Sequence, residues 1–88
     1  MERSQSSDGR SKVGVLRDQF VGAKLRHVRN QCGIELWQLA HSMNVSVNLL
    51  MDYEAGRRRI EPSMLAQVAR MLGTAPRVFF EGYLDNRA

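Results

Sequence analysis

Three consecutive arginines, Arg57, Arg58 and Arg59, are the residues whose type and spacing most clearly suggest a chemistry. We call them the arginine triplet. A run of guanidinium groups suits the phosphate oxygens of a nucleic acid. Taken alone, the run could equally be a solvated loop. The net charge of +4 and the sequence pI of about 10.0 favour a polyanionic partner.

The other reactive side chains do not form a recognisable catalytic or metal site. Cys32 is the only cysteine, which excludes an internal disulfide, and we expect a buried, unreactive thiol. His27 and His41 are expected at the surface or its boundary, with no metal or catalytic partner. We find no paired carboxylates, glycine-rich phosphate loop or nucleophile–base arrangement, so we expect no enzyme, no metal and no cofactor.

The length of 88 residues is enough for one small domain with a modest core. We see neither an apolar run of membrane-spanning length nor a signal-peptide core, and we expect a cytoplasmic protein. After Met1 the first twelve residues have no apolar side chain and contain four serines, which is typical of disorder. We therefore place a disordered tail at 1–15, the folded domain at 16–84 and a C-terminal tail at 85–88.

The periodicity of apolar residues predicts an all-α fold of five helices. Steps of four, three and four residues place Val21, Leu25, Val28 and Cys32 on one face of the first helix. The second and third are expected at 35–43 and 47–54, the fourth from Pro62, and a short fifth from about Pro76. The inward residues predicted for these four helices are Leu39, Ala40, Met43, Leu50, Tyr53, Leu65, Val68, Ala69, Leu72, Val78, Phe79, Phe80 and Leu84.

The second and third helices are joined by a tight turn at 44–46, and Ser46 is a natural N-cap for the third. This arrangement is a helix-turn-helix. It resembles the Cro and lambda-repressor-like family, also called the xenobiotic-response-element family, over about residues 21–80. The residues that carry the resemblance are Leu39, Ala40, Met43, Asn44, Val45, Ser46, Leu50, Tyr53, Glu54, Ala55 and Gly56. The Arg59–Ile60 step and the ending at 79–82 resemble a subgroup common in alphaproteobacteria.

The resemblance implies how DNA would be bound. In operator-binding members the third helix lies in the major groove, which here puts Val47, Asn48 and Asp52 at base-contacting positions. The arginine triplet would contact phosphates. The resemblance also implies a structural ion pair between Arg29 and Glu54.

At several of these positions the residue type differs from the one that is usual in the family. Only Asn48 suits base recognition well, most naturally of adenine, while Val47 could touch a thymine methyl group. Asp52 could accept from cytosine, but nearby phosphates would repel it. At the start of the second helix, Leu36 replaces the usual glutamine and cannot donate a hydrogen bond. Residues 35–54 contain no lysine or arginine, and Glu35, Asp52 and Glu54 give them a net charge of −3.

Five apolar residues would form a patch on the face that normally meets DNA, namely Leu36, Trp37, Val47, Leu49 and Met51. We call them the apolar patch. Exposed apolar surface more often marks a protein partner than a nucleic acid. Some of these residues could instead be buried, for instance Trp37 beneath the N-terminal tail.

Two functions therefore compete. The first is a transcription regulator that binds operator DNA as a homodimer, supported by the basic flanks at 13–34 and the arginine triplet. The second is an antiactivator-type regulator that no longer recognises DNA and binds a transcription factor or another protein through the apolar patch.

Overall fold

The computed structural model describes residues 9–83, which contain four α-helices and a short 3-10 helix and no strand. The helices are α1 (Lys12–Gln31), α2 (Leu36–Met43), α3 (Val47–Ala55) and α4 (Pro62–Met71). The all-α prediction is confirmed. The count of five helices is wrong, because Pro76–Phe80 forms a 3-10 helix, which we call the C-terminal turn. Five residues allow only a short ladder of i→i+3 bonds, such as Val78 N–H to Ala75 O at 3.0 Å.

The first helix begins earlier than predicted. The Ser11 hydroxyl oxygen accepts a hydrogen bond from the Gly14 N–H at 3.0 Å and caps the start of α1. Residues 12–15 are therefore helical, and their assignment to the disordered tail is wrong. A polar cap and an ion pair of Arg10 with Asp18 hold this segment, and neither produces an apolar pattern. Residues 1–8 and 84–88, including the rest of both predicted tails and Leu84, lie outside the described residues.

The helix-turn-helix forms at the predicted place. Asn44 ends α2 in the left-handed conformation with φ of 61°. The Val45 N–H returns to the Ala40 carbonyl at 3.0 Å, which satisfies the end of α2 and reverses the chain. Ser46 then caps α3 by accepting from the Leu49 N–H at 3.0 Å. These local bonds fix the angle between the two helices.

The core lies between α1, α3, α2 and α4, and the C-terminal turn packs against α1 and α4. The predicted inward residues of α2, α3 and α4 are buried. Phe79 is fully buried, but Phe80 is 41% exposed, so the prediction of a core position fails for Phe80. Consecutive residues of a short helix cannot both face the same side.

Cys32 is exposed, so the prediction of a buried thiol is wrong. It lies one residue beyond α1, where the chain turns, and its Sγ lies 3.7 Å from the Leu72 carbonyl. His27 and His41 are exposed, as predicted. Within the described residues, no helix is both long and apolar enough to cross a membrane.

Candidate nucleic-acid interface

The outer surface of α3 is set by the residues that it buries. Leu50 and Tyr53 point into the core, so the opposite side of the helix faces solvent. Asn48 is exposed there, and Val47 and Met51 are 39% and 44% exposed. A helix that presents its first turns in this way has the shape of a major-groove probe.

The arginine triplet begins directly after α3. Gly56 ends the helix with φ of 76°, a conformation that glycine adopts without strain. Arg57 then folds back, and its Nε donates to Asp52 Oδ1 at 2.8 Å. Arg58 and Arg59 are exposed, and neither makes an ion pair with any residue in the part of the chain described. The loop after α3 thus presents two exposed guanidinium groups, and Arg59 also lines a groove between α1 and the start of α4.

Asp52 has a different setting from the one expected at a base-contacting position. Its carboxylate is paired with Arg57 across the surface of α3. The pair reduces the net negative charge that Asp52 would present to phosphates. This pair is not apparent from the sequence, because the two residues approach only through the left-handed turn at Gly56.

The end of α3 is fixed to α1 by a buried ion pair. Arg29 Nε donates to Glu54 Oε2 at 2.7 Å, and Arg29 Nη2 donates to Oε1 at 3.2 Å. Arg29 Nη1 also donates to the Ile34 carbonyl at 2.8 Å. One guanidinium group therefore joins α1, α3 and the loop before α2. The pair implied by the family resemblance is confirmed.

The apolar patch is only partly exposed. Trp37 is 62% exposed on α2, so the described residues leave most of it uncovered. Leu36 and Leu49, by contrast, are half-buried and pack against the core. For these two residues the alternative of burial holds, because both side chains pack against the core cluster. The exposed apolar surface therefore reduces to Trp37, Val47 and Met51.

A groove with a volume of about 320 Å³ lies beside this surface, between α1 and α3. Its lining combines apolar side chains of α2 and α3 with basic side chains of α1 and the loop. The lining residues are Arg26, Arg29, Leu36, Met51, Glu54, Ala55 and Arg57. Because charged and apolar groups share one face, the groove suits either phosphate contacts or a partner side chain.

The sequence-predicted residues thus gather on one side of the molecule. Val47, Asn48 and Asp52 lie on the outer part of α3, and the arginine triplet lies at its C-terminal end. Within residues 9–83 no cluster of three histidine, cysteine or acidic side chains is placed to hold a metal ion. The arrangement supplies hydrogen-bond donors and positive charge on one part of the surface.

The comparisons with known proteins agree with this geometry. The family model described as "Helix-turn-helix domain" matches residues 21–78, which is more than half of the chain. This protein belongs to the helix-turn-helix domain family. The match spans α2 and α3, most of α1, all of α4 and part of the C-terminal turn. A search of curated proteins found no match to this helix-turn-helix domain.

The helix-turn-helix domain is similar in structure to transcriptional regulators whose structures have been solved. It is similar to the clp gene regulator ClgR from Corynebacterium glutamicum, at 31% identity and a TM-score of 0.70 over 73% of this chain and 68% of that chain. A second crystal structure of ClgR gives 33% identity and a TM-score of 0.69 over 74% and 85%. An HTH_3 family transcriptional regulator from Vibrio cholerae, at 23% identity, shares the fold with a TM-score of 0.71 over 80% and 39%.

Proposed function

We propose that this protein is a transcription regulator that binds operator DNA, with α3 in the major groove and the arginine triplet on the adjoining phosphates. The observation that carries the proposal is that Arg58 and Arg59, at the end of α3, are exposed and make no ion pair with any of residues 9–83. Phosphate contacts supply affinity and position the helix. Its similarity to the regulator ClgR supports the same function.

Base recognition in this proposal is sparse. Asn48 is the exposed amide on α3, and it matches the two hydrogen-bonding atoms of adenine. Val47 adds contact with a thymine methyl group. Asp52 is occupied by Arg57, so its contact with cytosine requires that pair to open. We further propose that the regulator is of the Cro type, in the subgroup common in alphaproteobacteria, and binds a palindromic site as a homodimer.

The test is the salt dependence of binding to the double-stranded DNA upstream of its own gene. If the arginine triplet contacts phosphates, Arg58→Ala should flatten the slope of log K against log salt by about 1. Arg70→Ala is the matched control, because Arg70 is also exposed but lies in the last turn of α4. Both variants remove one positive charge, so only the position differs. Absence of binding at low salt rejects the proposal.

A second candidate function is favoured by the exposed apolar surface of Trp37, Val47 and Met51. In this alternative the helix-turn-helix face binds a transcription factor or another protein as an antiactivator would. Tryptophan and methionine are enriched at the centres of protein interfaces, and such an interface responds weakly to salt.

The two functions are separated by one pair of variants. A protein interface on this face should lose its partner in a pull-down with Trp37→Ala. Leu16→Ala is the control, because Leu16 is exposed to a similar degree but lies on α1. The antiactivator alternative is supported if Trp37→Ala alone loses a partner and no DNA binds at low salt. Loss of the partner with both variants, or with neither, counts against it.

A further inference from the structure

We propose that Arg10 and Asp18 are positioning residues for the arginine triplet. They lie before and within the first turns of α1, outside the helix-turn-helix. Together they hold the C-terminal end of α3 and set the direction in which the chain enters the triplet. The inference rests on the proposed DNA-binding function and extends it to residues that do not touch DNA.

Two short hydrogen bonds from one guanidinium nitrogen carry the argument. Arg10 Nη1 donates to Asp18 Oδ2 at 2.9 Å and to the Gly56 carbonyl oxygen at 2.8 Å. Asp18 is buried, and Arg17 Nε lies 3.8 Å from its other oxygen. Hydrogen bonds between ionised groups are stronger than neutral ones. The buried carboxylate therefore fixes Arg10, and Arg10 fixes Gly56, the residue immediately before the triplet.

Arg10 places a positive charge at the C-terminal end of α3. Carbonyl groups at the C-terminus of a helix carry partial negative charge, and a nearby cation stabilises them. The last turn of α3 contains no basic residue, and the guanidinium group of Arg29 from α1 is already paired with Glu54 there. Arg10 supplies the cation from a different part of the chain, 46 positions away.

The position of Gly56 is also constrained by packing. Gly56 is buried, and a Cβ at this residue would overlap the backbone of Gln19, the neighbour of Asp18. The Arg57 N–H donates to the Asp52 carbonyl at 2.9 Å immediately beyond it. With Gly56 held on one side by α1 and on the other by Arg10, the chain leaves α3 in a single direction. That direction starts the arginine triplet at the C-terminal end of α3, with Arg58 and Arg59 exposed and Arg59 lining a groove with Asp18 and Pro62.

The decisive variant is Asp18→Asn, because two roles for Arg10 predict opposite results. If Arg10 is a positioning residue, loss of the carboxylate loosens the loop and raises the Kd for the DNA upstream of its own gene by about tenfold, the effect of one charge-assisted hydrogen bond. If Arg10 instead binds phosphate itself, the variant frees Arg10, adds one unit of positive charge and lowers the Kd. A lowered or unchanged Kd overturns the proposal.

A second measurement needs no DNA. Amide hydrogen exchange at Gly56 and Arg57 in the full chain should be about tenfold faster in Asp18→Asn and in Arg10→Gln than in wild type. In the wild type, local opening of this loop must first break the hydrogen bond between Arg10 and the Gly56 carbonyl, and in the variants that bond is weakened or absent. The amide of Leu72, which closes α4 by donating to Val68 O at 2.9 Å, is the internal control. A merely structural role would raise exchange at Leu72 as well, and that result counts against a positioning role.

The two measurements separate failure of this proposal from failure of the proposed function. If wild type binds DNA and Arg58→Ala weakens it while Asp18→Asn does not, only the positioning role is rejected. If wild type does not bind DNA, the DNA-binding function is rejected, and the exchange rates at Gly56 and Arg57 decide whether the two residues hold the loop. If Asp18→Asn does not fold, hydrogen exchange at Gly56 and Arg57 in Arg10→Gln tests the positioning role, and exchange as slow as in wild type overturns it, whereas the Kd of Arg10→Gln rises under both roles.

Discussion

At the scale of single residues, two ion pairs of nearly equal length have different settings. Arg29 and Glu54 approach within 2.7 Å with side chains 9% and 8% exposed. Arg57 and Asp52 approach within 2.8 Å with side chains 61% and 36% exposed. Water and salt weaken the exposed pair, whereas the buried pair leaves an unpaired charge if one partner is removed. Equal distances therefore do not mean equal contributions to stability.

We expect Arg29→Ala to lower the free energy of unfolding by about 3–5 kcal/mol, because Glu54 is left buried without a partner. Arg57→Ala, at the exposed pair, should cost less than about 1 kcal/mol. Urea denaturation followed by circular dichroism measures both. Equal losses in the two variants would show that burial does not decide the contribution of these pairs.

At the scale of elements, the approach of α1 to α3 depends on a glycine. Gly22 is buried in α1, and a Cβ there would overlap the carbonyl oxygens of Tyr53 and Glu54. Both neighbours are backbone atoms at the end of α3, so neither can turn aside. The absence of a side chain at Gly22 therefore sets the distance between α1 and α3.

Gly22→Ala should destabilise the fold by about 1–3 kcal/mol, since the overlap outweighs the better helix propensity of alanine. Gly14→Ala, in the same helix, is the control. A Cβ at Gly14 meets no atom closer than the Ser11 side-chain oxygen, at 3.3 Å, and we expect a change below about 1 kcal/mol. Thermal unfolding of the two variants tests this, and a Gly22→Ala protein as stable as wild type would contradict it.

At the scale of the whole molecule, stability depends on the C-terminal turn. Phe79 is fully buried where the turn packs on α1 and α4, whereas its neighbour Phe80 is 41% exposed. Small domains have only about 5–15 kcal/mol of stability. One buried aromatic ring thus contributes a large share of what holds α1 and α4 together.

Phe79→Ala should cost about 3–5 kcal/mol, a large part of the stability of a small domain. Phe80→Ala removes the same number of atoms from a largely exposed site, and we expect a much smaller loss. The midpoints of urea unfolding compare the two. Equal midpoints would contradict the assignment of Phe79 to the core.

Much of the fold was predictable because its signals are local. Apolar spacing identified the buried residues of α2, α3 and α4, and Ser46 identified the start of α3. The same information fixed which side of α3 faces solvent. The base-contacting positions and the Arg29–Glu54 pair came from the family resemblance, and the structure confirms the pair.

The sequence by itself determined α2, α3, α4, the turn between α2 and α3 and the place of the arginine triplet after α3, since each depends on residues a few positions apart. Only the tertiary structure decided that Arg10 reaches Gly56, that Leu36 and Leu49 are half-buried, and that Cys32 is exposed. These outcomes depend on how closely and at what angle the helices pack. Apolar spacing gives the face of a helix that is buried, but it carries no information about the distance to the neighbouring helix.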